Sequence, residues 1–150
     1  MDQFDREKAQ RVWQRVQSSQ PAPPPKPPAQ PNPEGLLLEE LMDIRLLQQL
    51  ARQQREPLAG LLRSLIAQGQ GRAAALRGIC QLSGLTPPSA LPKADTPALA
   101  NGLRRLMGQL LRRRMAYRQL DDHPEYGPLY DSLAQETQAS ALALAKIIGR

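Results

Sequence analysis

The sequence predicts an all-α protein: an antiparallel four-helix bundle preceded by a short N-terminal helix and a proline-rich linker. Three observations carry this. Leu, Ala, Gln and Arg dominate, the only valines are Val12 and Val16, and no stretch alternates with period two, so strands have nothing to form from. From residue 36 to the end, apolar residues recur at spacings of three and four, the period of a helix with one buried face. Eight of the 15 prolines fall between residues 20 and 35, which separates the chain into a short head and a longer body. At 150 residues the chain has length for one domain with a real core.

The head, residues 1–19, contains the amphipathic segment "FDREKAQRVWQRVQ". Ala9, Val12, Trp13 and Val16 share one side, while Arg6, Lys8, Arg11 and Arg15 crowd the rest. Trp13 and Val16 are the anchors such a helix would offer to a protein partner. Residues 20–35, "QPAPPPKPPAQPNPEG", read as an extended polyproline-II spacer.

The body, residues 36–150, divides into four helices. The first spans 36–55, with Leu37, Leu41, Ile44, Leu47 and Ala51 as its stripe. Pro57 opens the second, which carries Leu62, Ile66, Gly69, Ala73, Leu76 and Cys80 and stops at Gly84. After the loop "LTPPSALPKAD", Asp95 or Thr96 is placed to cap the third helix, whose stripe is Leu99, Leu103, Leu106, Leu110 and Tyr117. "DDHPEYG" turns the chain, with His123 as a turn or cap residue, and the fourth helix carries Leu129, Leu133, Ser140, Leu144 and Ile147. Two hairpins joined by a longer segment make a four-helix bundle.

The formal charge is +6 and the isoelectric point lies near 10.1. No aromatic residues interleave the basic ones to stack on bases, which disfavours nucleic acid. Cys80 is alone, the N-terminus is charged from Asp2 onward, and no apolar run approaches the length of a membrane span, so a reducing, cytoplasmic setting is expected.

A resemblance sharpens the fold. "EELMDIRLLQQLA" looks like the first helix, and "IAQGQGRAAALRGI" the second helix, of the rubrerythrin-like branch of the ferritin-like family. "EYGPLYDSLAQETQASALALAKIIG" is similar to that family's last helix. The resemblance implies a di-iron centre in which two helices each give a Glu and two others each give a Glu-x-x-His pair. Its first Glu falls on Glu40. In the second helix the frame is kept as Ile66, Ala67, Arg72, Leu76 and Arg77, but the Glu falls on Gln70 and the His on Ala73. In the last helix the Glu falls on Glu136 and the His on Ala139. The third-helix carboxylate would fall on Gln109 or Leu110, neither of them acidic. Gly69, Gly71 and the alanines after them thus surround the place of a lost ligand pair.

Glu40 and Glu136 are then the two surviving ligand-type carboxylates, both expected on inward stripes. Buried carboxylates without metal need a proton or a partner. Arg113 shares a stripe with Leu106, Leu110 and Tyr117, so it is expected inside, paired with Glu136 or Glu40, with Arg112 and Arg114 on exposed faces.

These readings leave three function classes. The first is a non-catalytic structural or interaction module without a metal cofactor, docking through the N-terminal helix or pairing as a homodimer. The second is a di-iron oxidoreductase, or weak iron binder, with an atypical ligand set. The third is a basic module that meets an anionic surface through Arg104, Arg105, Arg112, Arg114 and Arg118.

Overall fold

A computed structural model describes residues 30–150, so the expected N-terminal helix and most of the expected linker lie outside the described residues. The described residues form four α-helices: α1 (Pro33–Arg52), α2 (Leu58–Leu82), α3 (Leu99–Gln119) and α4 (Gly127–Ile148), with no strand among them. They make one four-helix bundle. α1 packs most extensively on α2 and α3 on α4, with smaller contacts between α2 and α4 and between α1 and α3.

α1 starts three residues earlier than the apolar pattern indicates. Asn32 is the N-cap, its Oδ1 accepting from the Gly35 N–H at 2.7 Å, and Pro33 and Glu34 open the first turn. Pro33 belongs to the helix because a first-turn proline has no intrahelical N–H bond to lose. α2 ends where expected. Gly84 has φ +70°, the Leu85 N–H donates to the Cys80 carbonyl at 2.8 Å, and the Gly84 N–H donates to Gln81 at 3.3 Å. This pair of bonds closes the helix as a Schellman motif. α3 differs from expectation: it starts at Leu99 after Ala98, and neither Asp95 nor Thr96 caps it. The backbone bonds carry that end unaided, the Gly102 N–H donating to the Ala98 carbonyl at 2.8 Å.

The turn before α4 is tightly built. His123 Nδ1 accepts from the Glu125 and Tyr126 N–H groups, each at 3.1 Å, and its ring stacks on Tyr126 at 5.3 Å. His123 thereby serves the turn and leaves no imidazole for the interior. Gly127 is required there, since a Cβ would lie 2.4 Å from the Asp121 carbonyl oxygen.

The core is divided into two apolar layers. One holds Leu36, Leu37, Leu76, Ile79, Cys80, Tyr117, Tyr130 and Leu133. The other holds Leu47, Leu50, Leu62, Leu65, Leu103, Leu106, Leu110, Leu144 and Ile147. α1 and α4 begin in the first layer and end in the second, whereas α2 and α3 begin in the second and end in the first. Between the layers sits a band of buried polar side chains: Glu40, Asp43, Arg72, Arg113, Thr137 and Ser140.

Candidate functional site

The polar band is assembled from all four helices. Glu40 and Asp43 lie three apart on α1 and so share its inner face. Arg72 comes from α2, Arg113 and Tyr117 from α3, and Ser140 from α4. None of these six side chains is placed by a loop, so their geometry is that of the helix packing itself.

Glu40 is fully buried, and three donors converge on its Oε1: Arg72 Nε at 3.0 Å, Arg113 Nε at 2.9 Å and Tyr117 Oη at 2.8 Å. Its Oε2 has no partner among the described residues. Arg113 Nη2 donates to Asp43 Oδ2, so one guanidinium spans both carboxylates of α1. Arg72 Nη1 donates to Ser140 Oγ at 2.7 Å, and that hydroxyl donates on to Gln68 Oε1 at 2.6 Å. With both carboxylates ionised, two anions face two cations. Such charge-assisted bonds are the strong class, and burial raises the cost of leaving any member alone.

Burial pushes the Asp43 carboxyl up to about 6, the charges of Glu40 and Glu39 adding to the rise while Arg113 opposes it. Burial works against the charge of Arg113, yet Glu40 and Asp43 hold its pKa above the ordinary arginine value. Tyr117 is held well above the tyrosine range by burial and by the Glu40 carboxylate, so its hydroxyl remains a donor.

Several expected site residues lie elsewhere. Glu136 is exposed, not inward. α4 buries Tyr130, Leu133, Ala134, Thr137, Ser140, Ala141 and Leu144, and Glu136 is turned about 100° from Thr137 at the centre of that stripe. Ala139 is exposed for the same reason, and Leu129 is 38% exposed, its place in the core taken by Tyr130. On α2, Gln70 is exposed while Ala73 is buried. The inward pairs three apart are Gly69 with Arg72 on α2 and Thr137 with Ser140 on α4, each one residue from the assigned ligand slots. On α3 Leu110 is the inward residue and Gln109 is half-buried. Arg112 is exposed and Arg114 half-buried. Trp13 and Val16 lie outside the described residues.

Asp43, Arg72 and Ser140 join the cluster beyond the expected site residues, and the sequence carries a signal for each. Asp43 follows Glu40 by three and precedes Leu47 by four. Arg72 continues the series Leu62, Leu65, Gly69 at helical spacing. Ser140 stood on the predicted stripe, where a hydroxyl needs a partner. Gly69 makes room for the cluster: a Cβ there would meet Ile44 Cγ1 at 3.2 Å and Arg72 Nη2 at 3.7 Å. Gly71 has no such role, with nothing among the described residues within 4 Å of its Cβ position.

The residues present do not fit a di-iron pair. Among the described residues no three His, Cys, Asp or Glu side chains are grouped to hold a metal ion. The donors facing Glu40 Oε1 are cationic guanidiniums and a phenol, which repel or exclude a cation. The cavity beside them, lined by Glu40, Leu65, Arg72, Leu106 and Ser140 among others, is about 10 Å³. That is the size of a single water.

No protein-family model, no curated protein and no solved structure matches this chain. No helix among the described residues is long and apolar enough to cross a membrane.

Proposed function

We propose that this chain is an antiparallel, rubrerythrin-like member of the ferritin-like superfamily whose di-iron centre has been replaced by the buried charge cluster, and that it acts as a non-catalytic interaction module. The observation that carries this reading is the position of Glu40. An inward glutamate on the first helix, where a ligand would stand, has two guanidiniums and a tyrosine hydroxyl as partners. The order in which each helix visits the two apolar layers supports the topology. Residues 83–98 connect an α2 that ends in one layer to an α3 that begins in the other, so this segment travels along the bundle as a crossover does. At about 3.3 Å per extended residue that segment has ample reach for a helix rise of 1.5 Å per residue.

The interaction role falls to the N-terminal segment with Trp13 and Val16, in a cytoplasmic setting. Because α1 begins at Asn32 and Pro33, removal of residues 1–30 leaves the bundle's own cap in place. The truncated chain is expected to melt as the full chain does and to lose partner binding.

The metal side of the proposal is tested by purifying the protein from iron-rich growth and challenging it with Fe(II) under oxygen. The expected outcome is no stoichiometric iron and no catalysed oxidation. About two irons per chain with rapid oxidation would make this an enzyme with an unfamiliar ligand set.

A further inference from the structure

Charge is not spread evenly over the bundle. α3 carries six arginines and no acidic residue. Arg113 is committed to the interior, and Arg118 is paired with Asp131 at 3.3 Å. Arg104, Arg105 and Arg112 are exposed, and none has a carboxylate partner among the described residues. Set among them are two large apolar side chains in water, Leu111 at 48% exposure and Met115 at 64%.

The arrangement of these residues is ordered. At 100° per residue, Arg104, Gly108, Leu111, Met115 and Arg118 all stand within about 40° of the direction opposite Arg113. They form the outermost ridge of α3, with Arg105 and Arg112 along one flank. The ridge is convex. The recess beside it, between α1 and α3, holds a cavity of about 40 Å³ bordered by Arg45, Gln49, Asp95, Arg105 and Gln109 and adjoins a wider, open recess at Arg45, Lys93 and Asp95, and neither Leu111 nor Met115 lines either one.

We infer that the outer face of α3 docks on an anionic lipid bilayer. A bilayer surface is deformable and needs no groove. Its phosphates and carboxylates take up the guanidiniums of Arg104, Arg105 and Arg112, and its headgroup–acyl boundary takes up Leu111 and Met115. A nucleic acid would satisfy the arginines but leave both apolar tips against phosphate. The turn that follows α3 carries Asp121 and Asp122, so the contact runs along residues 104–115 and ends short of it. This inference rests on the outer face of α3 alone and is independent of the reading of the interior.

The test is flotation of the full chain with phosphatidylcholine vesicles, with and without phosphatidylserine, at low and high salt. The chain is expected to float with the anionic vesicles only and to be released by salt. Replacing the three arginines together (R104Q, R105Q, R112Q) should weaken partitioning at least tenfold. L111S with M115S should weaken it severalfold at unchanged charge, both variants keeping the parent's helical circular-dichroism spectrum. Absence of partitioning into anionic vesicles would overturn the inference. So would binding that survives both variants, which would assign it to the basic N-terminal segment. Binding lost with the arginines but indifferent to L111S and M115S, and matched on duplex DNA, would mean phosphate recognition without lipid.

Discussion

Arg113 is the side chain on which the interior turns. It donates to Glu40 and to Asp43 at once, and it is 2% exposed. Arg113→Met roughly keeps the volume but leaves Asp43 without its partner and Glu40 with only Arg72 and Tyr117, so it is expected to cost about 3–5 kcal/mol in urea unfolding. Replacing Glu40, Asp43, Arg72 and Arg113 together with apolar residues should recover most of that loss, because removing the whole cluster leaves no uncompensated charge. If the single Arg113 variant unfolds at the parent's midpoint, the cluster contributes nothing.

Asp43 gives a pH signature of its own. Its folded pKa stands at about 6 against an ordinary 3.8, so the folded state binds this proton more tightly than the unfolded chain does. Its contribution is therefore most favourable below about pH 4, declines as pH rises through the window to about 6, and is constant above. The total decline is on the order of 2–3 kcal/mol. The stability difference between the parent and Asp43→Asn, followed from pH 4 to 7, should fall across that window and then level. A difference that rises with pH would contradict the assignment of burial as the dominant cause.

At the scale of the helix, the two glycines of "AQGQGRAAALRG" have opposite meanings. Gly71 faces open space, so Gly71→Ala should stabilise by about 0.5–1 kcal/mol through helix propensity alone. Gly69 lies under Ile44, and its Cβ contact of 3.2 Å should erase that gain. Thermal melts of the two variants separate a packing glycine from an incidental one. Helix ends behave likewise: Asn32→Ala removes the cap bond to Gly35 and is expected to cost about 1 kcal/mol, although the residue sits at the end of a proline-rich spacer. A melt unchanged by Asn32→Ala would put the start of α1 elsewhere.

Helix legibility in the sequence followed from the chemistry of each boundary. Gly84 announced its stop because only the left-handed region closes that motif cheaply. Pro33 misled, because a proline at the end of a proline run looks the same as one at N1 until its Asn and Glu neighbours are weighed. The inner face of α4 was harder. Leu133, Ser140, Leu144 and Ile147 are inward as their spacing indicates, but Leu129 and Glu136 are exposed, and Tyr130, Ala134, Thr137 and Ala141 complete the buried face. Glu136 lies one residue, about 100°, from Thr137 at the centre of that face and so points outward, while Ser140 keeps its expected place. Arg113 was legible because an arginine among leucines at core spacing requires a carboxylate. Arg72 was read as part of a family frame, and its partner on α1 was visible only once the helices were placed side by side.

Across the whole molecule, a cluster of two carboxylates and two guanidiniums lies between two apolar layers and, with the Arg72 bond to Ser140 of α4, ties all four helices together. On the proposed ferritin-like reading, that position is where the ions would stand, and two arginines supply cationic charge there instead. A metal that binds the folded bundle must raise its melting temperature by mass action. The most direct measurement is therefore the melting of the full chain stripped by chelator and then supplied with excess Fe(II) or Mn(II) under anaerobic conditions. The account predicts coincident transitions with and without metal. A rise of several degrees, lost in Glu40→Gln, would contradict it and return Glu40 to the role of a ligand.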